Sequence, residues 1–398
     1  MTRIISSFLM VLCLAGYCTA QEKSLEELQQ EALALNSIRS DDSINKKIKE
    51  LSEDKKYARK LVQAAAALLP KKDESTFTYS GAYILGSLAA EVRETKTAIE
   101  FHLIAIEKAS KIKSVRKLCW SRFYLIEAYL ADYRPDDAEK VARKLLSYNP
   151  GQLEDEEDQR AFLNTRIFTE LELPRIYLQQ GKFDEAEKQL DKLDQMNERA
   201  NDGLKRFVVS ARAQYHTYRG QLRDAIKLYE ELIEIVEEDD TKDRYREVIG
   251  NLEADAGNVD KAYEIMMELL KKKPDNPGIN NDLGYILASH DRKLDEAEQM
   301  IRKAVEAEPE NSSYLDSMAW VLYKKKQYKE AKEYMLKAVA QERGKNTELM
   351  EHLGDIHMAL GEKEDAKKAY EAALAAVTPN YKDQSRKAEI EKKLKELQ

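Results

Sequence analysis

The sequence predicts an all-α, right-handed α-solenoid of about nine helical hairpins with capping helices. Three observations predict this fold: an alanine that recurs at a nearly fixed interval, a small residue at a constant distance before it, and a proline at a constant distance after several copies. The 398 residues include only 14 glycines and 8 prolines, and no stretch resembles a low-complexity linker. A continuous array of repeats fits these features better than two or three separate domains.

The recurring alanine is clearest in two similar stretches, LDEAEQMIRKAVEAEP at residues 294–309 and YKEAKEYMLKAVAQER at residues 328–343. A bulky or apolar residue usually follows the alanine after four positions, and a small or apolar one after seven, which marks one face of a helix. Steps of 34 to 48 residues separate the copies. The anchor alanines are Ala58, Ala98, Ala138, Ala186, Ala225, Ala262, Ala297, Ala331 and Ala366.

A first helix is predicted upstream of each anchor alanine, because an apolar residue and a small residue recur about thirteen and twelve positions before it. These pairs are Leu85–Gly86, Ile249–Gly250, Leu283–Gly284, Met318–Ala319 and Leu353–Gly354. Glycines predicted in the turn between the two helices, where a positive φ is needed, are Gly181, Gly220, Gly257 and Gly361. Prolines predicted to end the second helix are Pro70, Pro150, Pro274, Pro309 and Pro379.

This unit resembles the tetratricopeptide repeat, whose pattern carries a Leu-Gly pair, an alanine in the second helix and a closing proline. We therefore expect N-terminal helices with a degenerate first repeat over residues 21–78, divergent repeats over 79–242 and well-formed repeats over 243–379. Ile390, Leu394 and Leu397 lie on one face and predict a capping helix over residues 380–398. The acidic runs at 151–160 and 237–240 are expected to be exposed loops.

Residues 1–20, MTRIISSFLMVLCLAGYCTA, have the basic, apolar and small-residue segments of a secretory signal peptide. We expect cleavage after Ala20 and export of a protein of bacterial type to the periplasm or the medium. No later segment has the roughly 18 apolar residues of a membrane-spanning helix. Cys18 leaves an alternative open, a lipid-anchored assembly factor of an envelope complex. Tyr17 stands where the lipoprotein signal needs a small residue, which favours the unanchored form.

The composition and motifs argue against several functions. A net charge of −8 without a basic stripe disfavours a nucleic-acid partner. Cys119 alone remains after the signal peptide, so no intrachain disulfide is expected. The sequence has no H-E-x-x-H, C-x-x-C, P-loop or G-x-S-x-G motif. His352 and His357 are about 140° apart on a helix, so they are not expected to bind one metal together. His357 occupies the position three residues after the Leu353–Gly354 pair, where we expect a packed or polar core residue. We predict no enzymatic activity, cofactor or metal site.

The resemblance implies that the first helix of each repeat lines a concave groove that receives a partner segment. Its groove positions lie two residues before and two after the apolar residue of each pair. The predicted groove residues are Glu247, Asn251, Asn281, Tyr285, Asp316, Trp320, Glu351 and Asp355.

This set is acidic and aromatic, which predicts a protein or peptide partner with basic and apolar side chains. It disfavours the capture of a C-terminal carboxylate, for which members of the family use lysine, arginine and asparagine. A plainer interpretation is that these positions are solvated or form ladder contacts between adjacent helices. If Trp320 serves the groove, replacing it with alanine should weaken partner binding and leave stability nearly unchanged.

Overall fold

The computed structural model describes residues 23–69, 76–200, 203–342 and 346–397. Every regular element in these ranges is a helix, which confirms the predicted all-α solenoid of helical hairpins. The predicted signal peptide, Cys18 and the predicted helix end at Pro70 lie outside the described residues. The chain forms two compact units, one ending at Lys108 and the other beginning at Ala109. None of the described helices is long and apolar enough to cross a membrane.

The first unit contains four complete helices, a short 3-10 turn at Leu35–Ser37 and most of a fifth helix. These helices are α1 (Leu25–Ala34), α2 (Asp41–Ser52), α3 (Lys55–Ala66), α4 (Tyr79–Glu91) and α5 (Thr95–Lys111). Thr78 caps α4, since its hydroxyl accepts a hydrogen bond from the amide of Gly81. Asn36 secures this start, because its side-chain oxygen accepts from the Thr78 amide at 2.8 Å.

The second unit contains seven hairpins and a final helix within its described residues. The hairpins are α6–α7 (Val115–Ala131, Pro135–Leu146), α8–α9 (Glu156–Gln179, Phe183–Arg199), α10–α11 (Lys205–Tyr218, Leu222–Ile235), α12–α13 (Asp239–Asp255, Val259–Lys272), α14–α15 (Pro277–Ser289, Leu294–Ala307), α16–α17 (Ser312–Lys324, Tyr328–Gln341) and α18–α19 (Thr347–Ala359, Lys363–Ala376). The final helix is α20 (Tyr381–Glu396). Its Ile390 packs into a core cluster with Tyr370, and Leu394 and Leu397 pack against that cluster.

All nine anchor alanines have 0% of their surface exposed. The alanine that repeats along the sequence therefore marks the buried side of each second helix. In the four pairs that contain glycine, the glycine lies under the side chain four residues after the anchor. A Cβ added at Gly284 would lie 2.6 Å from Ile301 Cγ1, and one added at Gly86 would lie 2.9 Å from His102 Cε1. The two helices of a hairpin therefore approach too closely at these points for a larger residue.

The turn between the helices of a hairpin contains a residue in the left-handed region. At Gly220 φ is +73°, and the amide of the following Gln221 donates to the carbonyl of His216 at 2.9 Å. This bond closes the helix end in the manner of a Schellman motif. Tyr133 and Lys326 take the same conformation without glycine, with φ of 53° and 62°.

The two acidic runs correct the sequence-based expectation, because each is the start of a helix rather than wholly a loop. Asp155 caps α8 by accepting from the amide of Asp158 at 2.8 Å, and Glu156 is its first helical residue. Asp239 and Asp240 are the first two residues of α12, which has no side-chain cap. Acidic side chains are favoured there because the helix N-terminus carries unsatisfied N–H groups and the positive end of the dipole.

Candidate protein-binding site

The predicted groove residues all lie on first helices of the last four hairpins. They lie two residues before and two after the apolar residue of each pair, which we call the groove register. They are Glu247 and Asn251 on α12, Asn281 and Tyr285 on α14, Asp316 and Trp320 on α16, and Glu351 and Asp355 on α18. Their hydrogen bonds divide them into two groups, one between α12 and α14 and one that extends from α14 to α18.

The group between α12 and α14 is organised by Asp282, which the register did not select. Asn251 Nδ2 donates to Asp282 Oδ2 at 2.8 Å, and Asn281 Nδ2 donates to Asp282 Oδ1 at 3.2 Å. Burial and the charge of Asp282 raise the pKa of Glu247. The Asn251 contact is a ladder contact between the neighbouring first helices α12 and α14, whereas the Asn281 contact lies within α14.

The second group, which we call the acidic–aromatic face, consists of Tyr285, Asp316, Trp320, Glu348, Glu351, His352 and Asp355. The sequence register missed Glu348 and His352. His352 is 2% exposed, its Nδ1 lies 2.9 Å from Asp316 Oδ1, and its ring stacks on Trp320 with centroids 3.9 Å apart. The Tyr285 hydroxyl donates to Glu348. Five of the eight predicted residues therefore belong to one connected surface.

The protonation of this face follows from its carboxylates. Burial alone would lower the pKa of His352, but Asp316 and Glu348 outweigh burial and raise it. Burial and the charge of Glu348 raise the pKa of Tyr285 well above its usual value. The face therefore combines a neutral phenol, an imidazole that readily holds a proton and several carboxylates.

Trp320 differs from the expectation drawn from the sequence. It is half-buried, packs against the core of the last repeats and stacks on Tyr323 with ring centroids 4.9 Å apart, as well as on His352. An aromatic ring with this much contact supports packing of α16 on α18. Replacing Trp320 with alanine is now expected to lower stability, so that variant alone would not isolate a binding role.

The helix α20 of the same chain lies on the acidic–aromatic face. Its Arg386 donates to Glu348, and Arg386 Nη1 donates to Glu351 Oε2 at 2.6 Å. Lys393 Nζ lies 2.8 Å from Glu351 Oε1 and 2.8 Å from Asp355 Oδ1. Burial would raise the pKa of Glu351, but the hydrogen bonds and charges of Lys393 and Arg386 outweigh burial and lower it.

The first turn of α20 reaches hairpins that lie much earlier in the chain. The Tyr381 hydroxyl donates to Asp255 Oδ2 at 2.9 Å across 126 residues, and Lys382 Nζ pairs with the same carboxylate at 2.7 Å. The ring of Tyr381 packs on Gly220, where an added Cβ would lie 2.9 Å from the ring. The start of α20 is thus held by contacts separate from those that Arg386 and Lys393 make with α18.

A second concave surface lies on α6, α8 and α10, which we call the phenylalanine pocket. Phe123, Phe168 and Phe207 line a cavity of about 220 Å³ together with Glu172 and Arg175. Ring centroids are 5.8 Å apart for Phe123 and Phe168, and 6.3 Å apart for Phe168 and Phe207.

Charged side chains border the phenylalanine pocket. Arg175 Nη1 contacts two carboxylates, Glu127 Oε2 at 3.0 Å and Glu172 Oε2 at 3.1 Å. Burial and the charge of Glu127 raise the pKa of Glu172 to about 7. The groove register would have found this surface if applied to these earlier hairpins, because it selects Phe123, Glu127 and Arg175 there.

One group of described residues has the donor spacing of a metal site. The ligand atoms of His357, Glu362 and Asp365 lie within 4.8 Å of one another. Glu362 already accepts from Lys332 Nζ at 2.7 Å, and Asp365 accepts from Lys368 Nζ at 3.0 Å. The existing ammonium groups therefore already neutralise the two carboxylates.

No curated protein sequence matches this chain. A solved tetratricopeptide repeat protein from Parabacteroides merdae is 16% identical, with a TM-score of 0.48, and the match covers 70% of this chain and 98% of that one. MamA from Desulfovibrio magneticus is 20% identical, with a TM-score of 0.32 and coverage of 44% and 94%. A thermophilic protein of the same repeat type from Thermus thermophilus is 18% identical, with a TM-score of 0.37 and coverage of 43% and 91%.

The tetratricopeptide repeat family profile matches residues 248–312 and 317–381. These two segments contain the buried anchor alanines Ala262, Ala297, Ala331 and Ala366. The hairpins, their period and the family match together identify tetratricopeptide repeats over residues 248–312 and 317–381.

Proposed function

We propose that the protein is an exported, non-enzymatic scaffold that binds a protein segment bearing basic and apolar side chains on the acidic–aromatic face. The repeats themselves support a role in protein–protein interaction. One observation carries the finer proposal: this face is complementary to a basic amphipathic helix, since α20 meets it with Arg386 and Lys393 around the buried Ile390.

The arrangement of ionisable groups supports a binding role over a catalytic one. Asp316 is held by His352, and Glu351 is held by Arg386 and Lys393. A catalytic acid or base needs a free path to a reacting atom, whereas these groups are engaged with each other. Recognition of a cationic segment needs only that the carboxylates can exchange one cation for another.

Export is supported by the signal-peptide pattern of residues 1–20. Mass spectrometry of the mature N-terminus tests it. A chain that begins at Gln21 fits the exported scaffold, and a chain that begins at a lipid-modified Cys18 fits the anchored assembly factor. An N-terminus that retains residues 1–20 contradicts export by this route.

Capture from the native compartment tests the binding face. The mature chain, residues 21–398, is compared with the Glu351→Gln/Asp355→Asn variant. The matched control is Glu330→Gln/Glu333→Gln, which removes two exposed carboxylates from α17. The proposal expects a partner retained by the wild type and the control and lost by the face variant. Equal capture by all three proteins would exclude this face and direct attention to the phenylalanine pocket.

A further inference from the structure

We propose that α20 is a resident occupant of the acidic–aromatic face, and that the partner is an amphipathic helix that replaces it. The replacing helix presents a cation, an aliphatic residue and a second cation at positions i, i+4 and i+7, as Arg386, Ile390 and Lys393 do. This inference rests on the proposed function, because it names the class of partner for the same face.

The spacing of charges on the two helices matches. Glu348, Glu351 and Asp355 are three and four residues apart on α18, so they follow one side of that helix. Arg386 and Lys393 are seven residues apart on α20, which is two helical turns, and they contact the two ends of the acidic row. Cations about two turns apart on a straight helix can therefore pair with both ends of the row.

The apolar contact of α20 is small compared with that of the repeat helices. Ile390 is the one buried residue in the described part of α20, whereas α18 has eight. A terminal helix with one buried side chain opens more easily than the hairpins on which it packs. The polar contacts with the acidic row therefore contribute a large share of its attachment.

Those contacts favour replacement of α20 by another segment that carries cations over release of α20 without a replacement. Glu351 is 5% exposed beneath α20 and accepts from both Arg386 and Lys393, so departure of α20 would cost it two charge-assisted hydrogen bonds unless other cations replaced them. A partner helix that brings its own cations avoids this cost. We therefore expect α20 to be replaced by a segment whose cations pair with the same carboxylates.

The anchor at the start of α20 makes the exchange competitive. Tyr381 and Lys382 bind Asp255, which lies apart from the acidic row on α18. The rest of α20 can leave while this anchor holds, and it then remains at a high local concentration near the face. Wild-type protein should therefore bind a free copy of the same helix weakly.

A fluorescein-labelled synthetic peptide of residues 377–398 is the probe, and it is titrated against the mature chain. The test variant is Arg386→Glu/Lys393→Glu, which places two carboxylates against the acidic row and expels α20. The matched control is Lys387→Glu/Lys395→Glu, which makes the same charge change on the exposed side of α20. Hydrogen exchange of α20 reports in each protein whether the helix is docked.

We expect α20 to lose protection in the test variant only, and the variant to bind the peptide at least tenfold more tightly than the wild type and the control. Adding Glu351→Gln/Asp355→Asn to the variant should abolish that binding. The inference is overturned if α20 stays protected in the test variant, if the freed face does not bind the peptide, or if binding persists without the two carboxylates. Capture of a partner through the face in the preceding experiment would still stand if the freed face did not bind the peptide, because capture does not require the partner to be a helix with the charge spacing of α20.

Discussion

Replacing Ile390 with alanine is expected to release α20 from the acidic–aromatic face. Ile390 is 0% exposed and packs against Ala366, Tyr370 and Ala373. The substitution removes three methylene-sized groups, which at about 0.8 kcal/mol each gives about 2.4 kcal/mol. The unfilled space adds a cavity term, and buried isoleucine-to-alanine changes cost about 2–5 kcal/mol in total. A site at the end of the array can partly collapse, so we expect about 2–4 kcal/mol.

The loss should appear as local opening rather than as global unfolding, because the described part of α20 has one buried residue whereas α18 has eight. Hydrogen exchange with mass spectrometry measures this directly on the mature chain. Since about 1.4 kcal/mol corresponds to a factor of ten, protection in α20 should fall by roughly 30- to 700-fold. Protection of α12 to α17 should stay within about twofold of the wild type.

Lys392→Ala is the control for this experiment, because Lys392 is exposed on the same helix. It should leave protection in α20 nearly unchanged. Unchanged protection of α20 in the Ile390→Ala protein would refute the packing argument. A loss spread evenly over all the hairpins would refute the view that α20 opens by itself.

Three further predictions follow from single positions. Gly284→Ala should lower the free energy of unfolding by about 1–3 kcal/mol in urea titrations, because its Cβ would lie 2.6 Å from Ile301 Cγ1; a rise in stability would contradict the close approach of α14 and α15. Burial lowers the pKa of His102 from 6.5 to about 4, so the unfolded chain binds a proton at a higher pH than the folded chain does. The free energy of unfolding of the first unit should therefore fall by about 3 kcal/mol as the pH falls from 6.5 to 4. His102→Met should remove that dependence in hydrogen exchange of α4. Because the pKa of Glu351 is lowered from 4.5, its contribution to the docking of α20 is present above pH 4.5 and is lost below it. Hydrogen-exchange protection of α20, corrected for intrinsic exchange, should therefore fall in acid, and it should fall less in Glu351→Gln.

The helical hairpins could be predicted from the sequence because their determinants are local and periodic. Ala297 and Ala331 are buried where the register puts them, and Gly220 and Gly257 have the positive φ expected in the turns. The acidic residues at 151–160 misled the prediction because charge was interpreted as a loop signal. Asp155 in fact caps a helix, and its carboxylate satisfies one of the helix's own amides.

The candidate site could be predicted in part. The register identified Asp316, Glu351 and Asp355, which share one face, because the first helices of adjacent repeats present equivalent positions side by side. It missed His352 because that residue does not occupy a groove position of the register. Only the packed structure shows that its ring stacks on Trp320 and that its Nδ1 contacts Asp316.

The sequence by itself determined the repeat, its turns and the acidic and aromatic character of the groove, since each depends on residues within one or two neighbouring hairpins. The tertiary structure decided what lies on that groove. Contacts such as Tyr381 with Asp255 span 126 residues, and they depend on the small rotations between successive hairpins, which no local pattern records. For that reason the sequence predicts α20 only as a capping helix, and the tertiary structure shows that it packs on the acidic–aromatic face.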